Sequence, residues 1–209
     1  MNNPGLTEDQ RDCLQEIVNV AMGRAGDSLA RFLETFIHLS VPKIKLVDSV
    51  ELTSSLVKMV GEVEKVSAVR QGFYSTVGDT DLRGEAIIIF SDQSFLELAD
   101  LLAYDEALSD VTENELLLDI SNILTGACLN GLAEQMEGEL GYSAPSIIGK
   151  HILTEDVVAP GQIPWHQALL IEINYTLENS SFSCSLLLLM PGTSIDAVKQ
   201  KLDHLLDGF

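Results

Sequence analysis

The strongest constraint on this chain is an internal repeat, because a repeat dictates how often every later feature is counted. The stretch GEAIIIFSDQSFLELADLL, residues 84–102, aligns with CSLLLLMPGTSIDAVKQKL, residues 184–202, at an offset of 100. In both stretches an apolar strand leads into a helix that begins with a capping signal. The long helices that open the two halves align at an offset of 103. We therefore expect one domain over residues 1–209, built of two repeats at about residues 7–104 and 109–208.

The first half is predicted to contain a helix, a strand, a strand pair and a second helix. Thr7 is a candidate N-cap for a helix over about residues 8–34, and the segment VPKIKLVDSV follows as a strand. The segments VEKVSAVRQGFYSTV and LRGEAIIIF are two more strands, joined by the turn-forming GDTD. The helix SDQSFLELADLLAY completes the half.

The second half repeats this order from Ser109, where SDVTENE is a capping signal for a helix to about residue 139. A strand in SIIGKHIL, the loop APGQIP, the strands HQALLIEINYTLE and SFSCSLLLLM, and a helix from about Thr193 follow. Strands joined by short turns are antiparallel neighbours. The expected fold class is α+β, with pseudo-two-fold symmetry, a mostly antiparallel sheet and helices that cover it.

Composition narrows the classes of partner. The chain has 12 Lys and Arg against 32 Asp and Glu, a net charge of −20, which repels nucleic acid and anionic membranes. Because 46% of the residues are hydrophobic, the chain can fill a substantial core. We expect proteins or small molecules as partners, with no nucleic acid and no membrane.

Cysteine usage and the N-terminus indicate a cytoplasmic protein. Cys13, Cys128 and Cys184 are odd in number and widely spaced, which is typical of buried thiols in a reducing compartment. The chain begins without a signal-peptide pattern, and no stretch approaches the roughly 20 apolar residues that span a bilayer. No metal site is expected, because no ligand spacing relates the four histidines, His38, His151, His166 and His204.

Polar residues form a stripe along the first long helix. Asp12, Glu16 and Asn19 stand at positions i, i+4 and i+7, so they project within roughly 60° of one another. Gly23 and Gly26 extend the stripe and leave bare backbone, where another surface could approach closely.

The second long helix carries the same stripe, with Glu115, Asp119, Asn122 and Gly126. Both halves share one spacing: an acid, three residues, an acid, two residues, Asn, twenty-two residues, then Pro42 or Pro145. Core packing does not demand polar residues on a helix, so the shared spacing points to a duplicated functional face.

This spacing resembles the CheC, CheX and FliY group of bacterial chemotaxis proteins, whose active helices carry Asp or Ser, three residues, Glu, two residues, Asn, twenty-two residues and Pro. The first half matches in full with Asp12, Glu16, Asn19 and Pro42, whereas the second has Asp119 in place of Glu. A chain with two such motifs looks like the CheC type. The resemblance implies a hydrolase that dephosphorylates CheY-type response regulators in chemotaxis.

The resemblance also assigns roles to the motif residues. Asn19 and Asn122 would orient the attacking water through carboxamides that both donate and accept hydrogen bonds. Glu16 and Asp119 would anchor the regulator, whose own Mg²⁺ and Lys flank the phosphoryl group, so that this chain needs no cofactor of its own. Asp119 is one methylene shorter than Glu, and a shift of about 1 Å can cost on the order of a hundredfold in rate.

Several alternatives stay open from the sequence. The glycines Gly23, Gly26 and Gly126 serve either partner docking or close helix packing. Asp12 and Glu115 are either partner-binding groups or ordinary helix-surface charges. The chain is also compatible with an adaptor that binds a CheD-type receptor deamidase or a response regulator with little turnover, and with a pseudo-enzyme.

Overall fold

The structure, a computed structural model, describes residues 5–60, 65–77, 81–102, 109–158, 167–178 and 182–207. Within these residues the chain forms six helices and eight strands, and the strands come in consecutive pairs between the helices. The helices are α1 (Glu8–Leu33), α2 (Ser49–Val60), α3 (Asp92–Leu101), α4 (Asp110–Gln135), α5 (Thr154–Val157) and α6 (Gly192–Asp207). The strands are β1 (Ile37–Leu39), β2 (Lys43–Asp48), β3 (Val66–Ser75), β4 (Arg83–Ser91), β5 (Leu140–Tyr142), β6 (Ser146–Ile152), β7 (Gln167–Leu177) and β8 (Ser183–Pro191).

Side-chain caps fix where the two long helices begin. Thr7 and Gln10 form a reciprocal capping box at the start of α1, and the Ser109 hydroxyl accepts from the backbone N–H of Thr112 at the start of α4. Both N-caps agree with the sequence prediction. The end of α4 does not: it stops at Gln135 rather than near residue 139, because the chain leaves the helix with Glu137 at a φ of 48°.

All strands belong to one sheet in the order β1-β7-β8-β4-β3-β5, with β2 also paired to β7 and β6 to β3. The pairings are antiparallel. β4 and β8 meet at the centre, where Ile87 lies opposite Leu187. The predicted α+β class with a mostly antiparallel sheet is confirmed.

The two halves exchange strands at the edges of this sheet. β3 pairs with β4 and β7 with β8, as the sequence predicts. The strands that follow the long helices cross over: β1 and β2 of the first half pair with β7, and β5 and β6 of the second half pair with β3. The order of elements is the same in both halves, although the division into two repeats stays a prediction.

Four elements are missing from the sequence prediction, and two predicted strands are too long: β3 ends at Ser75 rather than at residue 77, and β2 is also shorter than predicted. β1 and β5 have three residues each, too few to show a period. α5 has four residues, and α2 is rich in Val, Ser and Thr, which are weak helix formers. β2 ends at Asp48 instead of residue 50, because α2 begins at Ser49. The predicted loop at residues 159–164 and most of the predicted turn at 78–81 lie outside the described residues.

The sheet buries apolar side chains on both faces. Ile88 and Phe90 of β4 point into the larger core cluster, which also holds α1, α4, α3 and α6 residues. Ile87 and Ile89 point into a smaller cluster with Leu52 of α2 and residues of α5. Burial on both faces explains why β4 and β8 read as continuous apolar runs rather than alternating ones.

α1 and α4 pack together on the face of the larger core. A Cβ added to Gly131 of α4 would lie 2.8 Å from the Cα of Ala21 of α1, so the glycine permits this close contact. Arg24 of α1 also forms an ion pair with Glu134 of α4. Gln135, the last residue of α4, shares a groove with the first turns of α1, so the two helices run antiparallel.

α4 comes nearer to a membrane-spanning helix than the sequence analysis expects. It contains an 18-residue window with a mean hydropathy of 1.4, the one such helix within the described ranges. Because 61% of that window is buried against the rest of the chain, α4 has the character of a core helix in a soluble protein.

Candidate functional site

The first motif lies on the solvent side of α1. Asp12, Glu16 and Asn19 are exposed, whereas the neighbouring Ile17 and Val18 are buried in the larger core. The 3.6-residue period therefore separates a polar face from a core face along a single helix. The acid and the carboxamide at i and i+3 stand one turn apart on this polar face.

The second motif takes the same position on α4. Glu115, Asp119 and Asn122 are exposed, and the adjacent Leu116 and Ile120 are buried. Both sets of residues that the sequence analysis singled out are thus gathered on exposed helix faces.

The glycines of the two stripes differ in their surroundings. A Cβ added to Gly23 or Gly126 would meet nothing within 4 Å, so these positions stay open to an approaching surface. Gly26 is buried, and its added Cβ would lie 3.1 Å from the Leu39 side chain of β1. The proposed docking role of Gly26 is therefore wrong, because the space is already filled by packing within the chain.

The distal prolines mark the start of the exchanged strands. Pro42 is buried directly before β2, and Pro145 is half-buried directly before β6. Proline has no N–H to donate, so it suits the residue that precedes a strand.

The antiparallel packing of α1 and α4 separates the two motifs. The contact between Ala21 and Gly131 lies two residues after Asn19 on α1 and nine residues after Asn122 on α4, and the two helices run in opposite directions. At 1.5 Å per residue, Asn19 and Asn122 are then roughly 16 Å apart along the helix pair. This distance separates the two motifs into two exposed patches on the helix pair.

The motif side chains are unengaged. Across the described ranges, no ion pair or hydrogen bond holds the carboxylates of Glu16 and Asp119 or the carboxamides of Asn19 and Asn122. These four side chains are therefore accessible to an approaching molecule.

A cluster that the sequence analysis missed anchors the start of α4. Lys150 of β6 donates to the carboxylates of Asp110 and Glu113, 3.0 Å from the latter, and His151 contacts Glu113 at 3.1 Å and Asp92 at 3.0 Å. The hydrogen bond from Lys150 holds the pKa of the Asp110 carboxyl below its ordinary value. These residues are far apart in sequence, so only the strand register could have revealed the cluster.

At the start of α1 the corresponding contact is a hydrogen bond between a neutral amide and a carboxylate, not an ion pair. The Gln10 amide donates to the Asp203 carboxylate of α6 at 2.7 Å, and no lysine or histidine takes part among the described residues. The two motif helices thus begin at anchors of different chemistry.

Burial shields the cysteine thiols, and the described histidines and cysteines form no cluster that could hold a metal ion. Burial raises the pKa of the Cys128 thiol to about 12 and raises the pKa values of Cys13 and Cys184. Cys128 and Cys184 are buried as predicted, and Cys13 is half-buried. Among the residues that the structure describes, no group of three His, Cys, Asp or Glu side chains is placed to hold a metal ion, and His166 lies outside them.

Comparison with known proteins gives one match in sequence and several in structure. No family model matches the chain. The chain is 26% identical over 151 residues to the CheY-P phosphatase CheC of Bacillus subtilis (strain 168). The alignment covers 68% of this chain and 68% of CheC.

Two solved structures show the extent of the shared fold. FliY of Thermotoga maritima superposes with a TM-score of 0.70 at 17% identity, covering 95% of this chain and 98% of FliY. The FliM middle domain of H. pylori gives 0.61 at 14% identity, covering 94% and 99%.

At these identities the structural matches establish the fold and nothing finer. The sequence match adds a relative that shares two thirds of the chain, and the FliY match extends the likeness to nearly every described element. Together, they show that the chain resembles CheC in sequence over two thirds of its length and shares its fold with FliY over nearly all of it.

Proposed function

We propose that the chain is a phosphatase of phosphorylated CheY-type response regulators in the cytoplasm. The observation that carries the proposal is the pair of exposed, unengaged acid and Asn side chains one turn apart on each long helix. The CheC relative, a CheY-P phosphatase by name, supports the same activity.

The proposed chemistry is hydrolysis of an acyl phosphate. Asn19 or Asn122 holds a water in line with the bond from phosphorus to the aspartyl oxygen of the regulator. The water oxygen bonds to phosphorus as that bond breaks, which yields inorganic phosphate and a free aspartate carboxylate. The proton of the water leaves with the phosphate or the solvent. The regulator carries its own Mg²⁺, which neutralises charge on the phosphoryl group.

The acids position the regulator in this scheme. Glu16 or Asp119 pairs with the lysine beside the regulator's phosphorylation site, and a charged hydrogen bond of that kind fixes orientation as well as distance. The reacting atoms then reach the few ångströms of separation that in-line attack requires. Asp12, Gly23, Glu115 and Gly126 complete the proposed docking faces.

The test is acyl-phosphate decay of a CheY-type regulator with Asn19→Ala, Asn122→Ala and the double variant. We expect the double variant to lose about a hundredfold in rate or more, down to the decay of the regulator alone. Asn130→Ala is the matched control, because Asn130 is exposed on α4 beyond the motif. An unchanged rate in the double variant would refute the proposal.

A second candidate is an adaptor with little or no turnover. The match to the FliM middle domain favours it, because that protein's name carries no enzymatic activity although the fold is the same. The partner would be a response regulator or a CheD-type deamidase. Stable binding to either, with regulator decay unchanged by the wild-type chain, would select the adaptor.

A further inference from the structure

A groove opens next to the first motif, between the first turns of α1, the end of α4 and the end of α6. Its volume is about 470 Å³. Three carboxylates line it from α1, those of Asp9, Asp12 and Glu16. Because Glu16 belongs to both the motif and the groove, the groove lies directly beside the proposed docking face of the first site.

The groove combines charge with apolar surface. Ile17 of α1 and Leu205 and Leu206 of α6 line it beside the acids. Within the described part of the chain, no Lys or Arg pairs with Asp9, Asp12 or Glu16. A side chain with an apolar stem and a cationic end would match both properties, and only Lys and Arg have that form.

We propose that this groove receives a second basic side chain of the response regulator, separate from the lysine that Glu16 anchors. The inference rests on the proposed function, since it takes the regulator as the docked molecule. With Asn19 at the phosphoryl group, Asp12 and Asp9 lie roughly 10 Å and 15 Å farther along α1. The basic residue therefore stands at about that distance from the phosphorylated aspartate.

The same groove distinguishes the first motif from the second. At the 103-residue offset, Cys13 in the groove corresponds to Leu116, which is buried, and Gln135 corresponds to Phe32, which is 42% exposed. The aligned positions thus carry a buried leucine and a partly exposed aromatic ring where the groove has a thiol and a carboxamide. The first motif is the site that selects regulators by their basic residues.

The test compares Asp9→Lys with Glu8→Lys. Both residues are exposed in the first turn of α1, and both changes shift the net charge and the helix end equally, but only Asp9 lines the groove. Affinity is measured by calorimetry with a CheY-type regulator held in its active form by beryllofluoride, in the Asp119→Ala, Asn122→Ala background, in which the second site lacks both its anchoring acid and its Asn. We expect Asp9→Lys to raise Kd about five- to tenfold and Glu8→Lys to raise it less than twofold.

A double-mutant cycle identifies the occupant. Surface Lys and Arg residues of the regulator at the stated distance are replaced by Ala, and one of them should lose its effect on Kd in the Asp9→Lys background. Leu206→Arg, which places a cation in the groove itself, should weaken binding as well, whereas Val50→Arg on α2, across the sheet, should not.

The outcomes separate this inference from the proposed function. Equal Kd values for Asp9→Lys and Glu8→Lys overturn the inference even if the wild type hydrolyses the acyl phosphate. Binding that is sensitive to Leu206→Arg but not to Asp9→Lys indicates an apolar occupant and overturns it too. Binding sensitive to Asp9→Lys without any hydrolysis leaves the inference standing and refutes the phosphatase. Neither binding nor hydrolysis refutes both.

Discussion

Residue 119 carries an acid that is one methylene shorter than Glu16, its counterpart in the first motif. Glu16 of α1 and Asp119 of α4 are both exposed and unpaired, so their environments do not compensate for the difference in length. The carboxylate of Asp119 reaches one methylene less far from the helix. If the acid positions the regulator, the second site holds it with a small displacement.

We expect Asp119→Glu to raise the rate of acyl-phosphate hydrolysis when the first site is disabled by Asn19→Ala. Restoring the missing methylene should recover several-fold to about a hundredfold in rate, because small misplacements are costly in catalysis. Single-turnover decay of a phosphorylated regulator measures the gain, with Asp100→Glu, an exposed acid on α3, as the control. A fall in rate would mean that α4 sits closer to its partner and requires the shorter acid.

The sequence predicts the exposure of the motif side chains but not the surroundings of the glycine at the end of the stripe. The exposure of Glu16 and Asn19 follows from the helical period alone, because Ile17 and Val18 face the core. The burial of Gly26 does not follow, since it depends on Leu39 of β1, a strand too short to be predicted.

The element that carries the second motif is anchored by charge. Lys150 of β6 pairs with Asp110 and Glu113 in the first turn of α4, and it lowers the pKa of Asp110. A carboxyl group whose pKa is lower in the folded state stabilises the fold above its ordinary pKa, and this contribution disappears as the pH falls towards the folded-state value.

We therefore expect Lys150→Met to reduce the free energy of unfolding more at pH 7 than at about pH 3. Urea denaturation of the variant and the wild type at both pH values measures the difference. Lys45→Met is the control, because Lys45 is exposed on β2 and, among the described residues, pairs with no acid. The same pH dependence in both variants would contradict the proposed role of Lys150.

The elements that sequence reasoning predicts share a strong local signal. α1 and α4 are 26 residues long and begin at side-chain N-caps, and β4 and β8 are long apolar strands. α2 is stabilised mainly by tertiary contacts: Leu52 and Leu56, four residues apart, are buried in the smaller core. Because α2 is stabilised by packing on the sheet, its local sequence alone does not predict it.

On the scale of the whole molecule, the exchanged strands make each half depend on the other. β2 bonds to β7 over six residue pairs, and β6 bonds to β3 across the sheet. The length of the chain and the repeated order of elements predict one domain, but two halves that each complete their own sheet would show the same order. The pairing joins strands that are far apart in sequence, so it is set by the strand register in the folded sheet and not by local sequence.

We expect neither half to fold alone. Separate chains of residues 1–104 and 109–209 should show no cooperative unfolding in urea, because β3 and β7 would lack their outer partners and the helix face would lack its second helix. An equimolar mixture should recover the circular dichroism and the single transition of the intact chain. Two-state unfolding of either half as a monomer would show that the strand exchange is dispensable.

The strand exchange also constrains how such a chain can evolve. A recombination event that replaced one half would bring in a new motif helix together with the edge strands that complete the other half's sheet. The backbone of the two sites must then be inherited as a unit, while single substitutions such as the one at Asp119 can still alter one site alone. Divergence between the sites is expected to be found in their side chains and surface grooves, not in their architecture.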